Sequence, residues 1–215
     1  MTRVKICGIQ TLFDMQIAVQ QGADAIGVLV GQVQSSTDFV QADVAAQICA
    51  STAPFVTTVL VTHIEDPAAV LALANNVRSA TVQLHSDMPV SVLRALRRAL
   101  APTKIIAKVS VEGTSAIERA RELDHEVDAI LLDSVNKATG QVGGTGITHN
   151  WEISAKIVKH VSTPVILAGG LTPENVREAI RQVQPWAVDV NSGVRNTGGS
   201  KDMNLIRAFI CASNA

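Results

Sequence analysis

The chain has 215 residues, of which 47% are hydrophobic and 17% charged, and its formal net charge is −1. A chain of this length is expected to fold around one core, because cores tend to divide only beyond roughly 250 residues. The balanced charge, without a basic run, excludes a nucleic-acid surface and a polybasic membrane patch, and the scattered charges exclude a membrane-spanning segment. We therefore expect a single domain over residues 1–215.

The cysteines and the first residues indicate the compartment. Cys7, Cys49 and Cys211 are odd in number and widely spaced, so no disulfide framework is expected. Residues 1–8 have the pattern of a strand rather than that of a signal peptide. Together these observations predict a cytoplasmic protein.

Short β-branched runs alternate with stretches of helical periodicity along the whole chain. Eight strands are predicted, at residues 4–6, 25–30, 55–61, 81–84, 104–109, 129–132, 165–168 and 187–190. Each is followed by a predicted helix, at residues 11–21, 42–50, 68–75, 90–100, 114–123, 151–161, 173–182 and 201–212. Asp66 before Pro67, and Thr172 before Pro173, are plausible helix caps.

Eight strand–helix units in a chain of this length predict an α/β fold, the closed (β/α)₈ TIM barrel. An open, doubly wound sheet is the competing architecture. That fold favours a G-x-G-x-x-G turn after the first strand, whereas this chain reads Cys7-Gly8-Ile9-Gln10 there. In a barrel the active site forms at the carboxyl ends of the strands, so residues at those ends are the candidates for chemistry.

Two glycine turns at such ends predict a phosphate site. Gly169 and Gly170 follow the seventh strand, and Asn191, Ser192 and Gly193 follow the eighth. Glycines let backbone N–H groups approach an anion closely, and the loops after strands seven and eight are the recurrent phosphate site of this fold. The alternative is that these glycines only make tight turns.

A third glycine-rich loop follows the sixth strand. It reads Gly143-Gly144-Thr145-Gly146 and is preceded by the polar stretch 134–142. A stretch of this length is typical of a substrate-binding loop or lid, with a flexible surface loop as the alternative.

Cys7 and Asp133 are the candidates for proton transfer. Lys5 and Cys7 lie on one face of the first strand, and an inward ammonium would favour the thiolate, which could act as a base. Asp133 ends a buried strand, where a carboxylate needs a partner or a function. The structural alternatives are an inert core cysteine and an aspartate that caps its loop.

Gln83 and His85 end the fourth strand and, like Lys5, could contact a substrate, although for His85 a structural role is an equal alternative.

The histidines are dispersed and neither H-E-x-x-H nor C-x-x-C occurs, so no metal site is expected. The chain also lacks the G-x-S-x-G elbow that would indicate a serine hydrolase.

Six blocks of sequence, in order and in register along the chain, resemble the phosphoribosylanthranilate isomerase family. The blocks begin at Lys5 (KICG), Gln83 (QLH), Leu132 (LDS), Gly143 (GGTG), Leu167 (LAGGLTPENV) and Asp189 (DVNSGV). The resemblance implies a cofactor-free Amadori rearrangement in tryptophan biosynthesis, acting on a phosphorylated small molecule. For the assembly we expect either a monomer or a homodimer. It further implies that Asp133 is the general acid and Cys7 the general base.

The chain departs from the family pattern after the second strand and after the eighth. The resemblance implies an arginine that meets the anthranilate carboxylate, and Asp38 stands in its place. A carboxylate there would repel the substrate's carboxylate. Arg195 stands where the family tends to have an acidic residue, and we hypothesise that it contacts the carboxylate instead.

Two other functions remain as alternatives. The first is an isomerase acting on a different phosphoribosyl amine, such as the related histidine-pathway substrate, although that barrel uses an aspartate base on strand one. The second is a barrel that binds a phosphorylated ligand without turnover. A pure binder needs neither Cys7 nor Asp133, so the presence of both favours an enzyme.

Overall fold

Parallel strands close into a barrel, as the sequence predicts. The computed structural model describes residues 1–31, 38–136, 141–142 and 148–215, and within these residues eight strands form the barrel. The strands are β1 (Arg3–Ile6), β2 (Ala25–Leu29), β3 (Thr57–Thr62), β4 (Thr81–Leu84), β5 (Lys104–Ser110), β6 (Ala129–Asp133), β9 (Val165–Leu167) and β10 (Ala187–Val190). Their order around the barrel is β1-β10-β9-β6-β5-β4-β3-β2, and the two remaining strands, β7 (Val135–Asn136) and β8 (Gln141–Val142), lie outside it. The pairing of β1 with β10 closes the barrel, with Lys5 opposite Asp189.

One helix follows each barrel strand and packs on the outside. The helices are α1 (Leu12–Gln20), α2 (Ala42–Ser51), α3 (Pro67–Val77), α4 (Val90–Leu100), α5 (Ser115–Leu123), α6 (Trp151–His160), α7 (Val176–Val183) and α8 (Met203–Ser213). A three-residue 3₁₀ helix, Ser192–Val194, follows β10. Among the described helices, none is long and apolar enough to cross a membrane.

Local capping explains several helix starts. Asp66 accepts a hydrogen bond from the Ala69 N–H at 2.9 Å, and Pro67 occupies the first helical position of α3, as predicted. Thr11 and Asp14 form a reciprocal capping box that begins α1. These contacts determine the residues at which α1 and α3 begin.

In three places the structure differs from the predicted elements. Residues 173–175 form a turn, and α7 begins at Val176, because the side chain of Asn175 accepts a hydrogen bond from the Thr172 N–H at 2.8 Å. Lys201 pairs with Arg195 in an isolated bridge, so α8 begins at Met203. After β6 the chain forms an antiparallel pair of short strands, β7 (Val135–Asn136) and β8 (Gln141–Val142).

The core has an inner and an outer part. Inside the barrel lie Cys7, Leu29, Val59, Val61, Ile106, Ala129, Leu131, Ile166, Ala168 and Ala187. The outer part fills the space between strands and helices with aliphatic side chains and the fully buried ring of Phe209. Because side chains alternate along a strand, the inner residues show which other positions face the barrel axis.

The two predicted phosphate loops pack directly on each other. A Cβ at Gly193 would overlap the carbonyl oxygen of Leu171, which belongs to the loop after β9. Gly169 has φ +82°, and a Cβ there would lie 2.7 Å from the Ser134 amide nitrogen. Glycine is therefore required at both positions on steric grounds.

This packing predicts that Gly193→Ala destabilises the fold. The added methyl group meets a backbone carbonyl that cannot move without distorting its loop, so we expect a loss of about 1–3 kcal/mol in the free energy of unfolding, measured by urea denaturation. Gly113→Ala is the matched control, because no atom lies within 4 Å of its ideal Cβ. Equal stability of the two variants would contradict the prediction.

Candidate active site

The side chains at the carboxyl ends of the strands form one connected, largely buried cluster. Cys7, Gln83 and Asp133, predicted as site residues, are 6%, 1% and 5% exposed. They come from β1, β4 and β6, which are separated along the chain but face the same barrel mouth. The barrel therefore brings together residues that the sequence analysis selected independently.

Lys5 lies at the centre of this cluster. Its Nζ donates to Asp189 Oδ2 at 2.8 Å and to Gln83 Oε1 at 2.9 Å, and it lies 3.4 Å from Cys7 Sγ. Burial disfavours the ammonium, but the pKa of Lys5 is raised, chiefly by the charge of Asp189 and by its hydrogen bond to Lys5. Lys5 therefore stays charged and holds three strands together at the mouth.

Cys7 does not have the preformed thiolate that the sequence analysis expected. Burial raises the pKa of the Cys7 thiol to about 11, against the opposing effect of the Lys5 ammonium. Desolvation is the larger effect because the sulfur is buried among β-branched and small side chains inside the barrel. With this pKa the thiol is protonated near neutral pH.

Asp133 is a carboxyl group in an environment that favours its neutral form. Burial raises its pKa to about 7, although the Ser134 N–H donates to Oδ1 at 2.7 Å and lowers it again in part. The negative charge of Asp189 adds to the upward shift. A carboxyl that is protonated near neutral pH has the property required of a general acid.

Gln83 and His85 connect Lys5 to Asp133. Gln83 Nε2 lies 3.2 Å from His85 Nδ1, and His85 Nε2 lies 3.5 Å from Asp133 Oδ2. Burial lowers the pKa of His85 well below its ordinary value, so the ring is neutral. The contact with Asp133 is therefore between a neutral imidazole and a carboxyl group.

The glycine turns present backbone donors at the adjacent strands. The N–H groups of Gly169 and Gly170 donate to no acceptor among the described residues. Ser192 and Gly193 begin the 3₁₀ helix, where N–H groups have no partner within the helix. Gly144, in the third predicted glycine loop, lies outside the described residues.

Arg195 and Asp38, the two departures from the family pattern, contact each other. Arg195 Nη2 lies 2.9 Å from Asp38 Oδ1, with the side chains 11% and 19% exposed. The remaining Arg195 donors bind the Asn191 side chain, Gln10 and the carbonyl groups of Gly8 and Gly199. All of its N–H groups thus have partners, so Arg195 reaches a substrate only if one of these contacts opens.

Sequence reasoning missed three charged residues that face the site. Asp189 binds Lys5, Lys201 Nζ donates to the Asn191 carbonyl oxygen at 2.8 Å, and Lys108 lies buried on β5. Burial and the nearby charge of Arg195 lower the pKa of Lys201 to about 7. A charged residue within an apolar strand run was the available signal for Lys108 and Asp189.

Comparison with known sequences gives one consistent result. The family model described as N-(5'phosphoribosyl)anthranilate (PRA) isomerase matches residues 4–212. An N-(5'-phosphoribosyl)anthranilate isomerase 2 from Methanosarcina mazei is 43% identical, over 97% of this chain and 92% of the relative. The corresponding isomerase from Methanocella arvoryzae is 42% identical, over 98% and 97%.

Solved structures agree with the sequences. Phosphoribosylanthranilate isomerase from Thermotoga maritima superposes with a TM-score of 0.87 and 35% identity, over 100% of this chain and 99% of that one. A phosphoribosylanthranilate isomerase in complex with reduced 1-(o-carboxyphenylamino)-1-deoxyribulose 5-phosphate gives 0.84 and 33%, over 100% and 99%. With barrel, site and relatives in agreement, this chain belongs to the N-(5'-phosphoribosyl)anthranilate isomerase family.

Proposed function

We propose that the chain isomerises N-(5'-phosphoribosyl)anthranilate to 1-(o-carboxyphenylamino)-1-deoxyribulose 5-phosphate, a step of tryptophan biosynthesis. The family match over residues 4–212 is the observation that carries the proposal. It is supported by the burial of Cys7 and Asp133 in one connected cluster at the barrel mouth. The proposed location is the cytoplasm, on the grounds of the odd number and wide spacing of the cysteines.

The proposed chemistry starts at Asp133. Its carboxyl group gives a proton to the ribose ring oxygen as the bond from that oxygen to C1′ breaks, which leaves a carboxylate and a protonated imine. The pKa of about 7 supports this role, because the neutral carboxyl is abundant near neutral pH. His85 Nε2, 3.5 Å away, is placed to donate to the carboxylate as it forms.

Cys7 completes the rearrangement. Its thiolate removes the proton from C2′ of the imine, which gives an enolamine that tautomerises to the ketone product. The thiol must ionise before it can act as a base. The positive charges of Lys5 and of the imine both lower the pKa of Cys7 from about 11 and so favour the thiolate. Before the next turnover, Cys7 loses a proton and Asp133 regains one by exchange with water.

Phosphate binding by the glycine turns would place the substrate between these groups. The unengaged amides of Gly169 and Gly170, with those of Ser192 and Gly193, are the proposed donors. An anchor at β9 and β10 places the ribose across the mouth between β1 and β6. Gly144 remains a predicted substrate contact on sequence grounds.

The opposite end of the barrel supports a proposed homodimer. A cavity of about 600 Å³ opens at the amino ends of the strands, and Phe55 and Trp186 lie at its rim, 98% and 45% exposed. One Thermotoga maritima structure among the relatives is described as monomers that were generated from a dimeric phosphoribosylanthranilate isomerase. Exposed aromatic rings at the rim of a cavity are typical of a protein–protein contact.

We expect Cys7→Ser and Asp133→Asn each to lower kcat/KM for phosphoribosylanthranilate by about 10²- to 10⁴-fold. The assay follows the loss of substrate fluorescence on conversion. Competitive inhibition by inorganic phosphate should persist in both variants, because the phosphate loops are unchanged. Cys211→Ser is the control, since this exposed thiol lies on α8. Full activity of Asp133→Asn would reject its role as the acid, and phosphate binding without turnover by the wild type would favour a binding protein.

Asp133→Asn should also stabilise the fold at alkaline pH. A pKa of about 7 in the folded chain, above the unfolded value of about 4, means that folding loses stability as the pH rises between these values. Asparagine does not ionise, so the variant should gain a few kcal/mol at pH 8 and little at pH 4, measured by denaturant titration. Asp43→Asn, at an exposed carboxylate, should change by less than about 1 kcal/mol at both pH values. A destabilised Asp133→Asn at pH 8 would contradict the assignment.

Phe55→Ser should convert the proposed dimer into monomers, because it removes an exposed apolar ring at the rim of the cavity. Light scattering coupled to size exclusion gives the mass of each form, and turnover should persist because the active site is at the other end of the barrel. Phe13→Ser, on α1 and 68% exposed, is the control. A monomeric wild type at micromolar concentration would overturn the proposal.

A further inference from the structure

Lys108 is a buried cation at the barrel mouth that the proposed chemistry does not use. It lies on β5 two residues after Ile106, an inward-facing residue of the barrel core, while Ile105, Ala107 and Val109 belong to the outer core. The side chain of Lys108 therefore points into the barrel, where it is only 2% exposed.

No acceptor among the described residues lies within hydrogen-bond distance of this ammonium, although its charge is close enough to Asp133 to lower the pKa of that carboxyl. The ion-pair partner of the ammonium is Asp87 Oδ1 at 3.6 Å, beyond hydrogen-bond distance, on a side chain that is 66% exposed. Lys5 has acceptors at 2.8 and 2.9 Å, and Lys201 has acceptors at 2.8 and 3.0 Å. A buried charge without a close partner costs several kcal/mol, so the site is organised for an anion that Lys108 meets only when a ligand is bound.

The surroundings of Lys108 match the aryl end of the proposed substrate. With the phosphate at β9 and β10 and the ribose between β1 and β6, the aryl group lies over β2 to β5. There the ring of His63 stacks on His85 at 4.9 Å between centroids, and Phe39 meets His63 edge-on at 5.6 Å. Burial lowers the pKa of His63, and the charge of Lys108 lowers it further, which places Lys108 near these rings.

Other cations in the described part of the mouth are already committed. Arg195 has partners for each of its N–H groups, including Asp38 at 2.9 Å. Lys5 is bound by Asp189 and Gln83, and Lys201 by the main chain and side chain of Asn191. Among the described residues, Lys108 is the remaining cation on the side of the barrel where the aryl carboxylate would lie.

We infer that Lys108 binds the carboxylate of the substrate's aryl group and so determines the preference for an anthranilate aglycone. The inference rests on the proposed function. The family pattern has the carboxylate contact in the loop after β2, where this chain has Asp38 bound to Arg195. In this chain the contact would instead come from Lys108, on the inner face of β5. The rings of Phe39 and His63 then pack against the aryl ring while Lys108 neutralises its charge.

The test compares Lys108→Met with the wild type on two substrates, phosphoribosylanthranilate and the phosphoribosyl derivative of aniline, which lacks the carboxylate. We expect the KM for the anthranilate substrate to rise ten- to a hundredfold, on the order of one charge-assisted hydrogen bond, with kcat little changed. The KM for the aniline derivative should not rise. Lys108→Arg should recover part of the affinity, because it keeps the cation.

Lys104→Met is the matched control. Lys104 lies on the same strand at the other end of the barrel, with 66% of its side chain exposed, so both KM values should match the wild type. If Lys108→Met does not fold, as judged by circular dichroism, Lys108→Gln is measured in the same way.

Two outcomes would overturn the inference: an unchanged KM for the anthranilate substrate, or an equal loss on both substrates. Failure of the proposed function would look different, because the wild type would then turn over neither substrate. Activity of the wild type on phosphoribosylanthranilate therefore supports the function independently, and only the ratio of the two substrates tests Lys108.

Discussion

The ion pair between Lys5 and Asp189 organises the barrel mouth. Lys5 can only donate hydrogen bonds, so the Gln83 side chain must present its carbonyl oxygen to Lys5 and its amide nitrogen to His85 Nδ1. His85 then carries its proton on Nε2, which faces Asp133. A charge on β1 thus fixes the tautomer of a ring on β4 and the donor that meets a carboxyl group on β6. Removal of either ion-pair partner would leave an uncompensated buried charge at a cost of about 3–5 kcal/mol.

The balance of charge at the mouth fits a ligand that carries two separate anionic groups. Lys5 and Lys108 point inward, Asp189 pairs with Lys5, and burial raises the pKa of Cys7 to about 11 and that of Asp133 to about 7. These groups together therefore carry more positive than negative charge near neutral pH. A substrate with a phosphate at one end and a carboxylate at the other would compensate this excess at both ends, which a simple sugar phosphate would not do.

The sequence predicted the barrel and part of the site for a physical reason. Strand–helix alternation is local, and the ends of strands can be read from where apolar runs stop, so Cys7, Gln83 and Asp133 were found without coordinates. Lys201 was missed because it resembles the first residue of a helix, and only the bridge to Arg195 turns it inward. The pKa of Cys7 was misjudged for a similar reason. Its neighbour Lys5 is visible in the sequence, but the depth of burial that outweighs Lys5 depends on seven other strands.

The contact between Asp38 and Arg195 couples two positions that are 157 residues apart in the chain. A mutation that restored an arginine at position 38 alone would place two guanidinium groups side by side, and an acidic residue at 195 alone would oppose two carboxylates. Each single step is unfavourable although the double exchange preserves the pair. The two positions should therefore vary together among descendants of this chain, and an arginine at position 38 could be gained only together with an acidic residue at position 195 or through an intermediate with two like charges in contact. Such sign epistasis would keep these descendants with the present pair.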